Sequence, residues 1–306
     1  MDWTAEIEAA AARIEGHVLR TPTLTVNASD LPCPVEIKLE QMQHTGTFKA
    51  RGAFNTLLSG PVPEVGIVAA SGGNHGAAVA YAAAKLGHNA RVYVPEIAGP
   101  SKIALIRDSG ADLQVVPGAY ANALHLAQEY EAETGAMQIH AYDAPATVAG
   151  QGTCLREWEE QGLEADTVLI AVGGGGLIAG SLAWLAGRRK VVAVEPANAP
   201  TLAQALENGP ETEVEVSGIA ANALGARKIG GICYQLAAQQ GVQAVTLPDE
   251  AIASAQKWMW RELRQLVEPA GATAMAALLC GAYVPEPGEK VAVLVCGANI
   301  APDPFG

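Results

Sequence analysis

Apolar residues fall along this chain in two alternating rhythms. One is the short unbroken run, as in Val168-Leu-Ile-Ala-Val172 and Val291-Ala-Val-Leu-Val295. The other returns every three or four positions over a longer stretch. The first rhythm reads as strand, the second as one face of a helix. Strands are predicted at Val35–Leu39, Gly66–Ala70, Arg91–Val94, Leu113–Val116, Thr167–Val172, Lys190–Val194, Gln243–Leu247 and Lys290–Val295. Helices are predicted at Thr4–Glu15, Phe48–Leu58, Gly76–Leu86, Lys102–Ser109, Tyr120–Thr134, Pro145–Gln161, Leu177–Ala186, Thr201–Glu207, Asp249–Leu266 and Gly271–Gly281. Strands that are apolar throughout suit sheets covered on both faces. Their alternation with helices predicts an α/β protein with mostly parallel sheets.

One stretch imitates a membrane span, since Thr167 to Gly187 carries no charge. Its centre is Gly173 to Gly176, and each glycine costs about 1 kcal/mol in a helix interior. A strand, a glycine loop and a short helix explain it better than one long helix.

Composition narrows the picture further. A length of 306 residues suits one large or two modest domains. Hydrophobic residues at 50% and charged residues at 17% exclude a disordered chain. The net charge is −13, and the 19 basic residues are scattered. Nucleic acid and anionic membranes are therefore excluded as partners, because both need a basic face. The five cysteines are odd in number and far apart, with no CxxC pair for zinc or a redox dithiol. They read as free thiols in a reducing cytoplasm. The N-terminal MDWTAEIEAAAARIEG lacks the basic start and apolar stretch of a signal peptide, which agrees with a cytoplasmic location.

Glycine-rich turns follow three predicted strands: Ser71-Gly72-Gly73-Asn74-His75-Gly76, Gly173 to Gly176, and Cys296-Gly297-Ala298-Asn299. Ligands in open α/β sheets bind beyond the carboxyl ends of strands, so three such turns predict a shared cleft. Gly173–Gly176 before a helix leaves bare N–H groups that can cradle a phosphate. Gly174-x-Gly176-x-x-Ala179 with Glu195 ending the next strand also fits a dinucleotide fingerprint, which would make an oxidoreductase. A tight turn without ligand is the third reading. In Thr45-Gly46-Thr47-Phe48-Lys49-Ala50-Arg51-Gly52-Ala53, both threonines are candidate helix caps. Lys49 would then sit at the positive end of a helix, where an amine of lowered pKa serves as a nucleophile. Taken alone, a solvated lysine is the simpler reading. The Ser71–Gly76 turn can wrap a carboxylate in backbone N–H groups, with Asn74 adding a side-chain donor. His75 reads as a structural hydrogen-bonder or a proton carrier. Cys296, ending a buried strand, reads as core or as a weak S–H donor to a ring nitrogen.

Together these segments resemble the fold type II (tryptophan synthase beta-like) pyridoxal-phosphate enzymes of the serine/threonine dehydratase and serine racemase group. That family's T-G-[ST]-F-K-x-R-G-A, S-x-G-N-H-G, glycine-rich cup and late S/C-G-x-N are matched in order by Thr45–Ala53, Ser71–Gly76, Gly173–Gly176 and Cys296–Asn299. The resemblance spans essentially the whole chain and outweighs the dinucleotide reading, which leaves Lys49 and the Asn74 turn unexplained. It implies pyridoxal 5'-phosphate held as a Schiff base on Lys49, with Phe48 beside the ring and Asn74 on the 3-hydroxyl. Gly173, Gly174, Gly175, Gly176 and Leu177 would hold the phosphate, and Cys296 would face the ring nitrogen. The substrate carboxylate would sit on Ser71, Gly72, Gly73, Asn74 and His75. Lys49 would also act as the general base at the substrate's α-carbon.

The implied reaction is dehydration of a β-hydroxy amino acid, L-threonine or L-serine, to a 2-oxo acid and ammonia. A serine racemase or a 3-hydroxyaspartate dehydratase is the alternative. Racemases of the group place a second acid/base serine where this chain has Gly72, which favours elimination. Their divalent-cation site is matched at Glu195, but its second acid is replaced by Thr201, so a divalent or monovalent cation is in doubt. The usual A-D-G-L appears as Ala221-Asn222-Ala223-Leu224. The resemblance further implies a homodimer. Residues 1–53 plus 142–306 would form a large cofactor-binding domain, with 54–141 a smaller one inserted in it. The few residues after Asn299 leave no room for a regulatory domain, so control by isoleucine is not expected.

Overall fold

The computed structural model describes residues 1–71, 73–98, 100–118 and 120–300. The chain begins with α1 (Trp3–Ile14), capped by the Asp2 carboxylate, which accepts from the Ala5 N–H at 3.1 Å. Next come the antiparallel pair β1 (Thr23–Val26) and β2 (Val35–Leu39). Two 3-10 turns, Glu40–Met42 and His44–Gly46, then lead into α2 (Lys49–Leu58). A regular alternation follows: β3 (Ile67–Ala70), α3 (Asn74–Leu86), β4 (Ala90–Pro95), α4 (Pro100–Asp108), β5 (Asp112–Val116), α5 (Tyr120–Thr134) and β6 (Met137–Gln138). These strands form a parallel sheet in the order β5-β4-β3-β6.

The rest of the chain supplies α6 (Pro145–Glu160), β7 (Thr167–Ala171), α7 (Gly176–Leu185), β8 (Lys190–Pro196) and α8 (Thr201–Asn208). It continues through the short α9 (Ala221–Leu224), α10 (Gly231–Gln240), β9 (Gln243–Leu247), α11 (Asp249–Leu263), α12 (Pro269–Leu279) and β10 (Val291–Val295). These strands join β1 and β2 in a second sheet, ordered β1-β2-β10-β7-β8-β9 and parallel apart from β1. The fold is therefore α/β with mostly parallel sheets, as the apolar runs require. Every residue of β7 and β10 is buried, which is why neither alternates. Among the described residues, no helix is long and apolar enough to cross a membrane.

Several elements depart from the sequence reading. The pattern does not reveal β1 because it is a short edge strand with an exposed face. Two residues are too few for β6 to show a rhythm. The apolar residues of α10 point all round the helix, and its first residue is a glycine. Helix α11 stops at Leu263 rather than Leu266, because Arg264 turns into the left-handed region at φ 54°. The predicted threonine caps of α2 are also corrected. Phe48 is the N-cap, with no side-chain hydrogen bond. Thr45 sits at φ 61°, and neither the Thr45 nor the Thr47 hydroxyl has a hydrogen-bond partner. For a β-branched residue such a φ costs about 1–2 kcal/mol.

Two features fix the helices that carry the chemistry. The first is a buried group of four charges. Arg51 on α2 donates to Glu40 through Nε (2.6 Å) and a terminal nitrogen (3.1 Å), and to Glu157 on α6 at 3.0 Å. Glu157 also accepts from the fully buried Lys38 of β2 at 2.5 Å. Thr21 Oγ1 donates to Glu40 at 2.6 Å, and Lys38 donates to the Gln161 side chain and the Thr21 carbonyl. Two cations face two carboxylates, so the group is neutral overall.

The second feature is glycine contact on both sides of α6. A Cβ on Gly150 would lie 2.7 Å from the Arg51 carbonyl oxygen and from Gly52 Cα. A Cβ on Gly180 of α7 would lie 2.4 Å from the Gly152 nitrogen. Helix α6 thus brings α2 and α7 to close, fixed distances.

Breaking the charge group should destabilise the fold. Glu40→Gln leaves Arg51 short of a counter-charge, and a broken buried pair costs about 3–5 kcal/mol. Burial by itself would raise the Glu40 pKa, but the charge and hydrogen bonds of Arg51, with Thr21, outweigh it and hold the carboxyl below its ordinary value. A lowered folded-state pKa stabilises above the unfolded carboxylate pKa and loses that benefit as pH falls through the folded value. Urea denaturation should therefore show Glu40→Gln weakest relative to wild type at neutral pH, with the gap closing below about pH 4. A gap that stays constant with pH would contradict this account.

Candidate active site

Strands β2, β10 and β7 lie side by side and parallel, so their carboxyl ends open onto one edge. The segment after β2 reaches Lys49, β10 ends at Cys296, and β7 runs into the glycine loop. The two flanking segments are stitched together by a bridge between Thr47 and Gly297 and by the Phe48 N–H on the Cys296 carbonyl at 3.4 Å. From the other sheet, the turn after β3 brings in Asn74. These parts line one shared cavity.

Lys49 is the first residue of α2, and its exposed fraction faces this cavity. Its Nζ donates to the Ala141 carbonyl at 2.6 Å and lies 5.1 Å from the Phe48 ring centroid. Burial pushes its pKa down to about 8, with Cys296 pulling weakly the other way. A far larger share of the amine is therefore neutral near physiological pH than for an ordinary lysine, although the protonated form still predominates.

Across the cavity lies Gly173–Gly176. A Cβ on Gly174 would fall 2.4 Å from the Tyr142 ring, and one on Gly176 would fall 2.9 Å from Tyr142 Cα. Gly175 has φ 93°, and a Cβ there would meet Cys233 Sγ at 2.5 Å. The loop has room only for backbone. It opens α7, whose first N–H groups have no intrahelical partner and whose dipole favours an anion. Leu177 continues the same wall.

The Cys296 thiol is buried and donates to the Ala270 carbonyl at 3.4 Å. Burial drives its pKa well up, so it stays neutral. Asn74 donates through Nδ2 to Glu268 at 2.6 Å, and its Oδ1 accepts from Asn299 at 2.9 Å. Ser71 Oγ accepts from the Gly73 N–H at 3.2 Å, shaping the turn into α3. Gly72 lies outside the described residues. The His75 ring turns away, donating through Nε2 to the Ile139 carbonyl at 2.9 Å. Burial, helped by Lys49, lowers its pKa to about 3, so the ring is neutral and structural.

Glu195 stands apart from the cavity, at the end of β8. Its two oxygens accept from the Leu202 and Ala203 N–H groups at 2.7 and 2.8 Å, at the start of α8. Burial raises its pKa to about 7 against the pull of those donors. Among the described residues, no group of three histidines, cysteines or acids could hold a metal ion.

Sequence reasoning assigns no role to two residues in this wall, Glu268 and Tyr142. Glu268 is the lone charge of the Val267–Leu279 segment, directly before a helix that is otherwise apolar. That isolation is the signal that could have found it. Tyr142 carries no comparable signal, since it becomes significant only where the glycine loop passes beneath its ring.

A cofactor with both an aldehyde and an anionic tail would use both ends of this cavity. The amine of lowered pKa suits the aldehyde, the side-chain-free helix start suits a phosphate, and the residues present fit pyridoxal phosphate. Residues 14–297 match the family described as pyridoxal-phosphate dependent enzymes, and the chain belongs to it. It is similar to phenylserine dehydratase of Ralstonia pickettii, with 34% identity covering 94% of this chain and 90% of that protein. A threonine deaminase from T.th. superposes with a TM-score of 0.89 at 34% identity, over 98% of this chain and 99% of that one. Maize serine racemase superposes with a TM-score of 0.91 at 30% identity, over 97% and 93%. Within the family the protein is a lyase of the serine/threonine dehydratase group, with pyridoxal phosphate as cofactor.

The lowered pKa of Lys49 has a direct readout. Uptake of pyridoxal phosphate by the apoprotein should rise with pH around a midpoint near 8, rather than near the ordinary lysine value of about 10.4. Stopped-flow absorbance across pH 6–10 measures this. A midpoint above 10 would mean that the amine is not desolvated.

Proposed function

We propose that this enzyme removes water and then ammonia from a β-hydroxy L-amino acid, L-threonine foremost and L-serine next, to give a 2-oxo acid. The observation that carries the reading is the Lys49 amine, with a pKa near 8, set between the bare glycine loop and the neutral Cys296 thiol. Lys49 would hold the cofactor covalently, Gly173–Leu177 its phosphate, Asn74 its 3-hydroxyl, and Cys296 its ring nitrogen, with Phe48 beside the ring. Bound there, pyridoxal phosphate supplies an electron sink for the bond broken at the substrate's α-carbon.

The chain's own groups do the rest. The N–H groups of the first turn of α3, at Asn74 and His75, suit a carboxylate, with Gly73 in the turn before them. Ser71 shapes that turn. Lys49 Nζ, whose lowered pKa makes its neutral form accessible near working pH, can take the α-proton as general base. A neutral thiol offers the ring nitrogen a weak hydrogen bond in place of an ionic one, so less charge is stored there and prompt loss of a β-hydroxyl is favoured. Gly72 has no side chain to hold a second proton on the opposite face, which supports elimination over racemisation. The same reading carries a homodimer, a cytoplasmic location, and a small domain of residues 54–141 inserted between 1–53 and 142–306. The grouping of β3–β6 in one sheet supports that division.

The test is a panel of L-threonine, L-serine, 3-phenylserine and 3-hydroxyaspartate, with 2-oxo acid detection and with and without a chelator. L-Threonine should give the most product. Lys49→Ala should lower turnover by about 10³-fold and abolish the visible cofactor band. No 2-oxo acid from any member would overturn the reading. Chiral analysis of leftover serine showing D-serine as the main product would replace it with racemisation.

A further inference from the structure

We propose that Asn299 is a positioning residue. With Glu268, it locks the Asn74 side-chain amide in the orientation that turns an N–H toward the cavity. The proposal rests on the reading that Asn74 bonds the cofactor's hydroxyl.

An asparagine amide is nearly symmetric in shape, so only its neighbours decide which end is oxygen and which is nitrogen. Asn74 has a neighbour on each side. Asn299 Nδ2 donates to Asn74 Oδ1 at 2.9 Å, and Asn74 Nδ2 donates to Glu268 Oε1 at 2.6 Å. Turned over, Asn74 would set oxygen against carboxylate on one side and nitrogen against nitrogen on the other. In the observed orientation one Nδ2 hydrogen goes to Glu268. The chemistry of an amide leaves Nδ2 a second hydrogen, and Asn74 lines the cavity.

The polarity of Asn299 is itself fixed. Its Nδ2 also donates to the Thr45 carbonyl at 2.8 Å, and a backbone carbonyl can only accept. Thr45 offers that carbonyl from a φ of 61°. Such outliers concentrate where the surroundings enforce them. Next to it, Gly46 has φ 72°, and a Cβ there would lie 2.7 Å from Asn299 Oδ1, so this turn accommodates the asparagine closely. On the far side, a Cβ on Gly297 would fall 2.0 Å from Glu268 Oε1, and the Glu268 N–H donates to the Gly297 carbonyl at 3.3 Å. Asn299 thus lies in the turn that follows β10, and Glu268, just before α12, is packed against that same turn. Donation diverges from Asn299 Nδ2, to an acceptor-only carbonyl on one side and through Asn74 to an acceptor-only carboxylate on the other.

The experiment is titration of apoprotein with pyridoxal phosphate, read by tryptophan fluorescence, with thermal unfolding of each apoprotein as a check on folding. Asn299→Asp keeps the shape but replaces the donor with an acceptor, so Asn74 must turn over to meet it. It should weaken cofactor binding by about 10- to 100-fold. Asn299→Ala removes the lock without inverting it and should weaken binding less, by about 3- to 10-fold. Adding Glu268→Gln to Asn299→Asp should recover part of the apoprotein thermal stability, because the introduced glutamine amide can donate to the turned-over Asn74 while the bond to the Thr45 carbonyl stays lost, and cofactor affinity should stay low. A packing role predicts the opposite order, with the alanine variant worse than the aspartate. That order, or wild-type affinity in Asn299→Ala, overturns the proposal. The alanine variant decides alone if the aspartate variant does not fold. Asn74→Ala separates the two levels. Wild-type affinity there removes the underlying reading and the proposal with it. Weakened binding in Asn74→Ala beside unaffected Asn299 variants removes the positioning role alone.

Discussion

Four buried charges hold together the three elements that the rest of the site builds on. Arg51 is two residues from Lys49 in the first turn of α2, and its guanidinium is shared between a carboxylate following β2 and another on α6. Burying ions is costly, so the group is weak evidence for stability in itself. What it does provide is direction. Each hydrogen bond is satisfied in one geometry only, so α2 cannot slide along α6 without stranding a charge. A reactive amine needs such a support, because chemistry tolerates errors of only about half an ångström.

The electrostatics of the cavity follow from what is absent as much as from what is present. Lys49 is depressed by burial. Among the described residues no carboxylate is hydrogen-bonded to its Nζ, which points at the Ala141 backbone carbonyl. Cys296 and His75 are both kept neutral by burial. The lining carries one acid, Glu268, and that acid is held by an asparagine amide. The helix starts and bare backbone around the cavity suit an anion and bring no titratable proton. Proton traffic is thereby confined to very few atoms.

Much of this is legible in the sequence, and the boundary of legibility is physical. Lys49, the Gly173–Gly176 loop and Cys296 each announce themselves through neighbours within a few residues. Buried strands such as β7 and β10 do so through unbroken apolar runs. Glu268 and Asn299 carry local signals, but their partnership with Asn74 spans 194 and 225 residues and is invisible in the sequence. Thr45 looks like a helix cap by residue type, yet its backbone is turned left-handed beside Asn299, which lies far along the chain. Glu195 reads as a cation ligand by position, while in the fold both its oxygens meet backbone N–H groups. Local pattern reveals residue type and rhythm, and it is silent on long-range polar partners.

The place of β10 has a further consequence for how the molecule is made. It lies between β2 and β7, in the interior of the six-stranded sheet, although its residues emerge from the ribosome some 250 positions after those of β2. Until then the sheet has a vacant inner slot flanked by two strand edges with unpaired backbone groups. The four-stranded sheet draws only on residues 67 to 138 and can close first. A nascent chain can therefore carry a closed smaller sheet beside a larger one that is still open. That interval is when aggregation threatens most and when a chaperone has the most surface to protect.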